Sequence, residues 1–153
     1  MSDVLDFVSV RLDDENSELI ILDQSKLPND LVYHHYKLPE EIFNAIVTLQ
    51  VRGAPAIGIA AAYGIYLDAK NNQFLSEEEF FQRFRHMKNY LASSRPTAVN
   101  LFWALNRMEG CLNDYKDQSR AEIIARLKEE SESIRSEDEA VCLSIGEHAL
   151  SLL

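Results

Sequence analysis

The stretch from Val51 to Leu67, VRGAPAIGIAAAYGIYL, constrains the fold more than any other part of the chain. It is small and apolar almost throughout, yet it opens with an arginine, a glycine, an alanine and a proline. The apolar run from Ala54 to Leu67 falls short of the ~20 residues that a membrane span needs, so it reads as a buried helix. Ala56, Gly58, Ala60, Ala61, Ala62 and Gly64 let neighbouring helices approach closely, which puts this helix in the core. Proline is favoured in a first helical turn, where its missing N–H costs nothing, and glycine allows another group close to the backbone. Arg52 therefore stands just before a helix N-terminus, where unpaired N–H groups and the positive pole of the macrodipole suit a phosphate or another oxyanion.

The arrangement recurs in SSRPTAVNLFWAL, where Arg95 precedes Pro96 and Thr97 at the start of a later helix. Two such ends could converge on one anion. The alternative is that each arginine pairs with a surface carboxylate and each proline merely starts a helix. GAPAIG has neither the lysine of a P-loop nor the GxGxxG of a dinucleotide fold. His34 and His35 are neighbours on an expected strand and so point to opposite faces, which disfavours joint metal binding. DDENSE lacks the central glycine of a calcium loop. Glu147 and His148 have no HExxH partner.

A chain of 153 residues with 46% hydrophobic and 26% charged content is expected to form one globular domain. Its net charge of −10 argues against a protein that coats nucleic acid or an acidic membrane, while leaving room for a small anionic ligand held by local cations. The acidic runs at Asp13 to Glu18, Glu77 to Glu79 and Glu129 to Glu139 read as solvated faces or loops. Cys111 and Cys142 are the only cysteines, as expected of a reducing, cytoplasmic setting. The N-terminal MSDVLDFVSV has no secretory pattern.

The first forty residues read as β structure. FVSVRL, ELIILDQ and LVYHHYKL are rich in branched and aromatic residues and predict three antiparallel strands. Helices follow: one from Pro39 with Ile42, Ile46 and Leu49 on one face, the central helix to Asn71 and Asn72, and a third capped by Ser76 with Phe80, Phe84, Met87 and Leu91 as its stripe. A fourth begins after Pro96 with Leu101, Phe102, Leu105, Met108 and Leu112 at helical spacing. From Ser119 the chain is helical again, with a possible break near Ser136, where SEDE could start a new helix. SIGEHALSLL ends on an amphipathic helix without a stop signal. The expected fold is α+β, a small N-terminal three-stranded antiparallel sheet followed by four to six helices.

VRGAPAIGIAAAYGIYL and SRPTAVNLFWALNRM resemble the two signature segments of the methylthioribose-1-phosphate isomerase family of methionine salvage. ILDQSKLP and SIGEHAL resemble its flanking landmarks in the same order. The resemblance implies that residues 1–153 are an N-terminal domain, with a β region at 1–38 and a helical bundle at 39–153, preceding a Rossmann-like domain that this sequence lacks. It implies that Arg52, Gly53, Ala54 and Arg95 bind methylthioribose 1-phosphate in the interdomain cleft. It further implies a homodimer, and no cofactor or metal.

Family members continue into a THCN-like segment with a catalytic cysteine and then a later acidic residue, and neither segment is present here. Cys111 and Cys142 do not match that context and read as buried small residues. Arginines and helix dipoles can hold and polarise a sugar phosphate, but they cannot move the proton that an aldose-to-ketose conversion requires. The chain alone is therefore expected to be inactive. Ribose-1,5-bisphosphate isomerase and the alpha, beta and delta subunits of initiation factor 2B share the architecture, and the intact RGAPAIG and RPTAVNLFWAL favour the methylthioribose enzymes. The alternative from another class is a non-catalytic binding or assembly module.

Overall fold

Branched residues alternate through the first segments and pair as a meander. In the computed structural model, which describes residues 9–51 and 53–151 with side chains as far as Asp138, β1 (Val10–Asp13), β2 (Glu18–Leu22) and β3 (Tyr33–Tyr36) form an antiparallel sheet in that order. Val10 faces Ile21 across the first pair, and Ile21 faces His34 across the second. Leu19 and Ile21 enter the main core from one face of β2, while Ile20 and Leu22 are buried on the other. Phe7 and Val8, which the sequence assigned to the first strand, lie outside the described residues.

Five helices follow: α1 (Pro39–Val47), α2 (Ala54–Asn71), α3 (Glu77–Ala92), α4 (Val99–Tyr115) and α5 (Arg120–Ser151). The fold is therefore α+β, as the sequence predicts. α2 is buried from Ile57 to Ala69 and packs against the four other helices and the sheet. Its small residues make this possible. A Cβ at Gly58 would stand 2.9 Å from the Asn100 carbonyl oxygen of α4, and one at Gly64 would stand 3.1 Å from Ile42 of α1. Phe80, Phe84, Met87 and Leu91 are all buried, as their spacing predicts, and Ser76 caps α3 by accepting from the Glu79 N–H.

Four local expectations are corrected. Pro96 does not open α4: the residue before a proline avoids helical geometry, and the Ala98 N–H closes a turn onto the Arg95 carbonyl, so the helix begins at Val99. α5 is not broken at Ser136. Arg107 of α4 binds both Glu130 and Glu137, two turns apart on one face of α5, and Ile134 between them is buried. That cross-tie holds helix through the segment where a new start was expected.

Leu49 is the third correction. It does not extend the α1 face, because the helix ends at Val47 and Leu49 takes φ 64°. The Gln50 N–H then bonds the Ala45 carbonyl and the Leu49 N–H bonds the Ile46 carbonyl, the paired pattern of a Schellman ending. Glycine ordinarily fills that left-handed position, and leucine there costs about 1 kcal/mol. Phe102, expected in the α4 stripe, is 39% exposed, whereas Leu101, Leu105, Met108 and Leu112 are buried.

Candidate functional site

The chain enters α2 through Gly53, whose φ of 90° is strained for any residue with a Cβ. An α-helix leaves its first four N–H groups without intrahelical partners, and Pro55 removes one of them here. Gly53 provides no side-chain cap, and the Ile57 N–H closes the first turn onto the Gly53 carbonyl. At α4 the start is also bare, because Ala98 is the N-cap and cannot accept.

The other three helices are finished differently. Glu41 accepts from the Lys37 and Leu38 N–H groups before α1, Ser76 caps α3, and Ser119 accepts from the Glu122 N–H at α5. Two helix starts whose first turn has no side-chain acceptor, those of α2 and α4, meet at one open cleft of about 480 Å³. Gly53 and Ala54 line it from α2, and Val99 and Asn100 from α4. Arg95 and Thr97 line it from the turn between α3 and α4, and Leu49 from the α1 ending.

Three of the four residues singled out from the sequence, Gly53, Ala54 and Arg95, are thus brought together. Arg52 lies outside the described residues. Arg95 is half-buried, and among the described residues no carboxylate pairs with it. By contrast, Arg83, Arg107 and Arg126 are each bound to carboxylates. The sequence reading missed Leu49 and Asn100 as lining residues. Asn100 sits within the quoted SRPTAVN stretch, but no glycine marks the turn that presents Leu49.

The cleft carries one cation, Arg95, on a lining that is otherwise mostly apolar, and among its described lining residues there is no carboxylate, thiol or imidazole. A second groove of about 400 Å³ adjoins it through Val99 and Asn100 and is lined by Ile59, Trp103 and Ile134. Of its two acidic residues, Glu137 and Asp138, the first is engaged by Arg107, which holds that carboxyl below the usual range.

The remaining candidates behave structurally. Cys111 is buried and donates its S–H to the Arg126 carbonyl at 3.5 Å, and burial pushes its thiol up to about 11, away from a reactive thiolate. Cys142, Glu147 and His148 lie beyond the described side chains. His34 and His35 bind Asp23 and Glu18 respectively from opposite faces of β3. No group of three potential metal ligands occurs among the described residues, and none of their helices is long and apolar enough to cross a membrane.

Comparison with known proteins agrees with this architecture. The profile of the Initiation factor 2 subunit family matches residues 50–153. Methylthioribose-1-phosphate isomerase of Symbiobacterium thermophilum is 54% identical over 144 residues, covering 94% of this chain and 40% of the relative. A protein of Bacillus cereus named 5-deoxyribose 1-phosphate isomerase is 49% identical over 138 residues, covering 90% of this chain and 40% of the relative.

Among solved structures, 5-methylthioribose 1-phosphate isomerase of Pyrococcus horikoshii superposes with a TM-score of 0.80 at 35% identity, covering 84% of this chain and 36% of that one. The delta subunit of translation initiation factor eIF-2B from A. fulgidus gives 0.77 at 37% identity, covering 85% and 37%. The chain thus spans about 40% of the length of the curated relatives it matches, and the match is to their N-terminal portion.

Proposed function

The chain belongs to the Initiation factor 2 subunit family, and on that premise we propose that it is the substrate-holding N-terminal part of an isomerase of sugar 1-phosphates. Methylthioribose 1-phosphate is the favoured substrate and its ketose isomer the product. The observation that carries the reading is the pairing of two uncapped helix starts around one cleft with Arg95, which among the described residues meets no carboxylate. Free N–H groups, two macrodipoles and a guanidinium form the donor set that a dianionic phosphate requires. Arg52, next to Gly53 in the chain, belongs to the same proposal.

Proton transfer between the sugar carbons needs a group of tuned pKa within hydrogen-bond reach. The cleft's described residues supply none, so the acid and base of the reaction come from a second, Rossmann-like domain that relatives of full length carry. This chain binds and orients, and by itself does not turn over. Its strongly negative net charge argues against a polyanion such as nucleic acid and leaves room for a small anion drawn in by local donors. A homodimer of the complete protein is part of the same proposal.

Titration of the purified chain with inorganic phosphate and with methylthioribose 1-phosphate, against chloride at equal ionic strength, tests the reading. Saturable shifts at the Gly53, Ala54 and Asn100 amides are expected, with no ketose formed. Ketose formation that disappears in Cys111→Ser would overturn the division of labour.

The similarity to an initiation-factor subunit favours one other reading, a non-catalytic assembly module. In that case partner binding would survive Arg95→Ala, and phosphate would produce no shift at all.

A further inference from the structure

The landmark ILDQSKLP and the histidine pair of β3 lie outside the cleft lining, yet both are tied to its entrance. Asp23 is 2% exposed and accepts from the Ser25 N–H at 2.9 Å, the Ser25 hydroxyl at 2.5 Å and His34 Nε2 at 2.8 Å. The carboxylate can only accept, so His34 carries its proton on Nε2. The His34 ring stacks on Tyr36 at 5.3 Å and 6°. The Tyr36 hydroxyl in turn donates to Gln50 Oε1 at 2.6 Å.

Gln50 is then held from two further sides. Its carbonyl accepts from the Gln24 N–H at 2.8 Å, and its own N–H donates to the Ala45 carbonyl at 3.0 Å. The Val51 N–H bonds the same Ala45 carbonyl at 3.3 Å. Sheet, turn and α1 thus grip one residue that stands immediately before Val51, Arg52 and Gly53.

This segment needs such a grip, because it contains positive φ at Leu49 and again at Gly53. Unfavourable backbone conformations persist only where their surroundings over-determine them. An oxyanion site also depends on how well its donors are held before the ligand arrives.

We propose that Tyr36 and Gln50 are positioning residues, which brace residues 48–51 so that the start of α2 at Gly53 is held open to the anion, with Asp23 and His34 fixing Tyr36 from behind. The proposal rests on the oxyanion reading of the cleft. None of these side chains lines the cleft, so they act through the backbone of the loop.

The test uses the 153-residue chain and the variants Tyr36→Phe, Gln50→Ala and Gln50→Glu, the last of which keeps an acceptor for the Tyr36 hydroxyl. Amide hydrogen exchange and inorganic phosphate affinity are read on each. In Tyr36→Phe and Gln50→Ala, exchange at the Gln24, Gln50 and Val51 amides should rise, exchange in α3 should stay unchanged, and the phosphate Kd should rise about three- to tenfold, the worth of one neutral hydrogen bond. Gln50→Glu should retain wild-type exchange at these amides.

Unchanged exchange and affinity in Tyr36→Phe would overturn the brace. So would loosening spread evenly into α3, which would make the bond a contribution to global stability only. If the wild-type chain ignores phosphate, the oxyanion reading falls, and local loosening at residues 24, 50 and 51 still decides whether the brace exists.

Discussion

At the C-terminal end of α2 the buried and half-buried polar side chains are answered, whereas at its N-terminal end the polar groups are left open. Asp68 is 5% exposed and takes Arg83 in a two-nitrogen grip, with Nη2 at 2.7 Å and Nε at 3.0 Å, while Asn72 adds a third contact. The Lys70 ammonium donates to the Asp14 carbonyl, the Asp14 carboxylate and the Ser17 hydroxyl. Tyr66 and Lys128 also converge on Asp14. Burial pushes that carboxyl up, and the hydrogen bonds from Tyr66, Lys70 and Lys128 outweigh burial to leave it lowered.

At the other end of the same helix, Gly53, Ala54 and Pro55 are exposed, no side chain caps the turn, and Arg95 has no carboxylate among the described residues. Polar groups that fold a protein are satisfied within it, while groups meant for a ligand stay unanswered until the ligand comes. The contrast within one helix separates structural from functional polarity better than residue type does.

Four substitutions can break or sharpen that contrast. Arg83→Ala leaves the buried Asp68 carboxylate without its cation and should lower stability by about 3 kcal/mol in urea unfolding, with phosphate affinity unchanged. A parallel loss of phosphate binding in a chain that is still folded would erase the distinction between the two ends.

Arg95→Ala should do the reverse. Loss of charge-assisted hydrogen bonds weakens phosphate binding by about 2 kcal/mol, while the unfolding midpoint stays close to wild type because, among the described residues, the side chain has no carboxylate to lose. A destabilised protein with intact affinity would place Arg95 among the structural arginines.

Gly58→Ala links the two ends. The new methyl meets the Asn100 carbonyl oxygen, an overpacking cost of about 1–3 kcal/mol that the helix propensity gain of about 1 kcal/mol only partly offsets. Both stability and phosphate affinity should fall, because α2 and α4 must separate at the mouth of the cleft. Unfolding and titration of one sample read both.

Leu49→Gly is the smallest effect and has an unusual sign. Relief of the left-handed leucine slightly exceeds the added chain entropy, so stability should rise by about 0.5 kcal/mol. A clear loss would show that the Leu49 side chain contributes packing that its exposure does not suggest.

Much of this was legible before any coordinates. The α3 stripe and its Ser76 cap, the Pro39 start of α1, and the small-residue approach face of α2 are signals contained within a few consecutive residues, and all three formed as read. The misreadings have different causes: one local signal was overridden by a partner distant in sequence, and the others are backbone turns or exposure that apolar spacing does not record. SEDE near Ser136 carries a capping pattern, but Arg107 bridges Glu130 and Glu137 from another helix. Leu49 fits an apolar spacing, but α1 ends in a Schellman turn that no glycine announces. Phe102 shares a helical spacing with buried neighbours yet stays 39% exposed.

The same division applies to the site. The sequence by itself determined that Gly53, Ala54 and Pro55 open a central helix and that Arg95 shortly precedes another, because backbone conformation at glycine and proline is a property of the residue. Only the tertiary structure decided that the two helix starts share a cleft. That depends on how closely α2 and α4 approach at Gly58, on the Arg95 to Ala98 turn that delays α4 to Val99, and on the absence of any side chain to cap either start. Convergence is a relation between residues some forty positions apart, and no local pattern of spacing or charge encodes a distance of that kind.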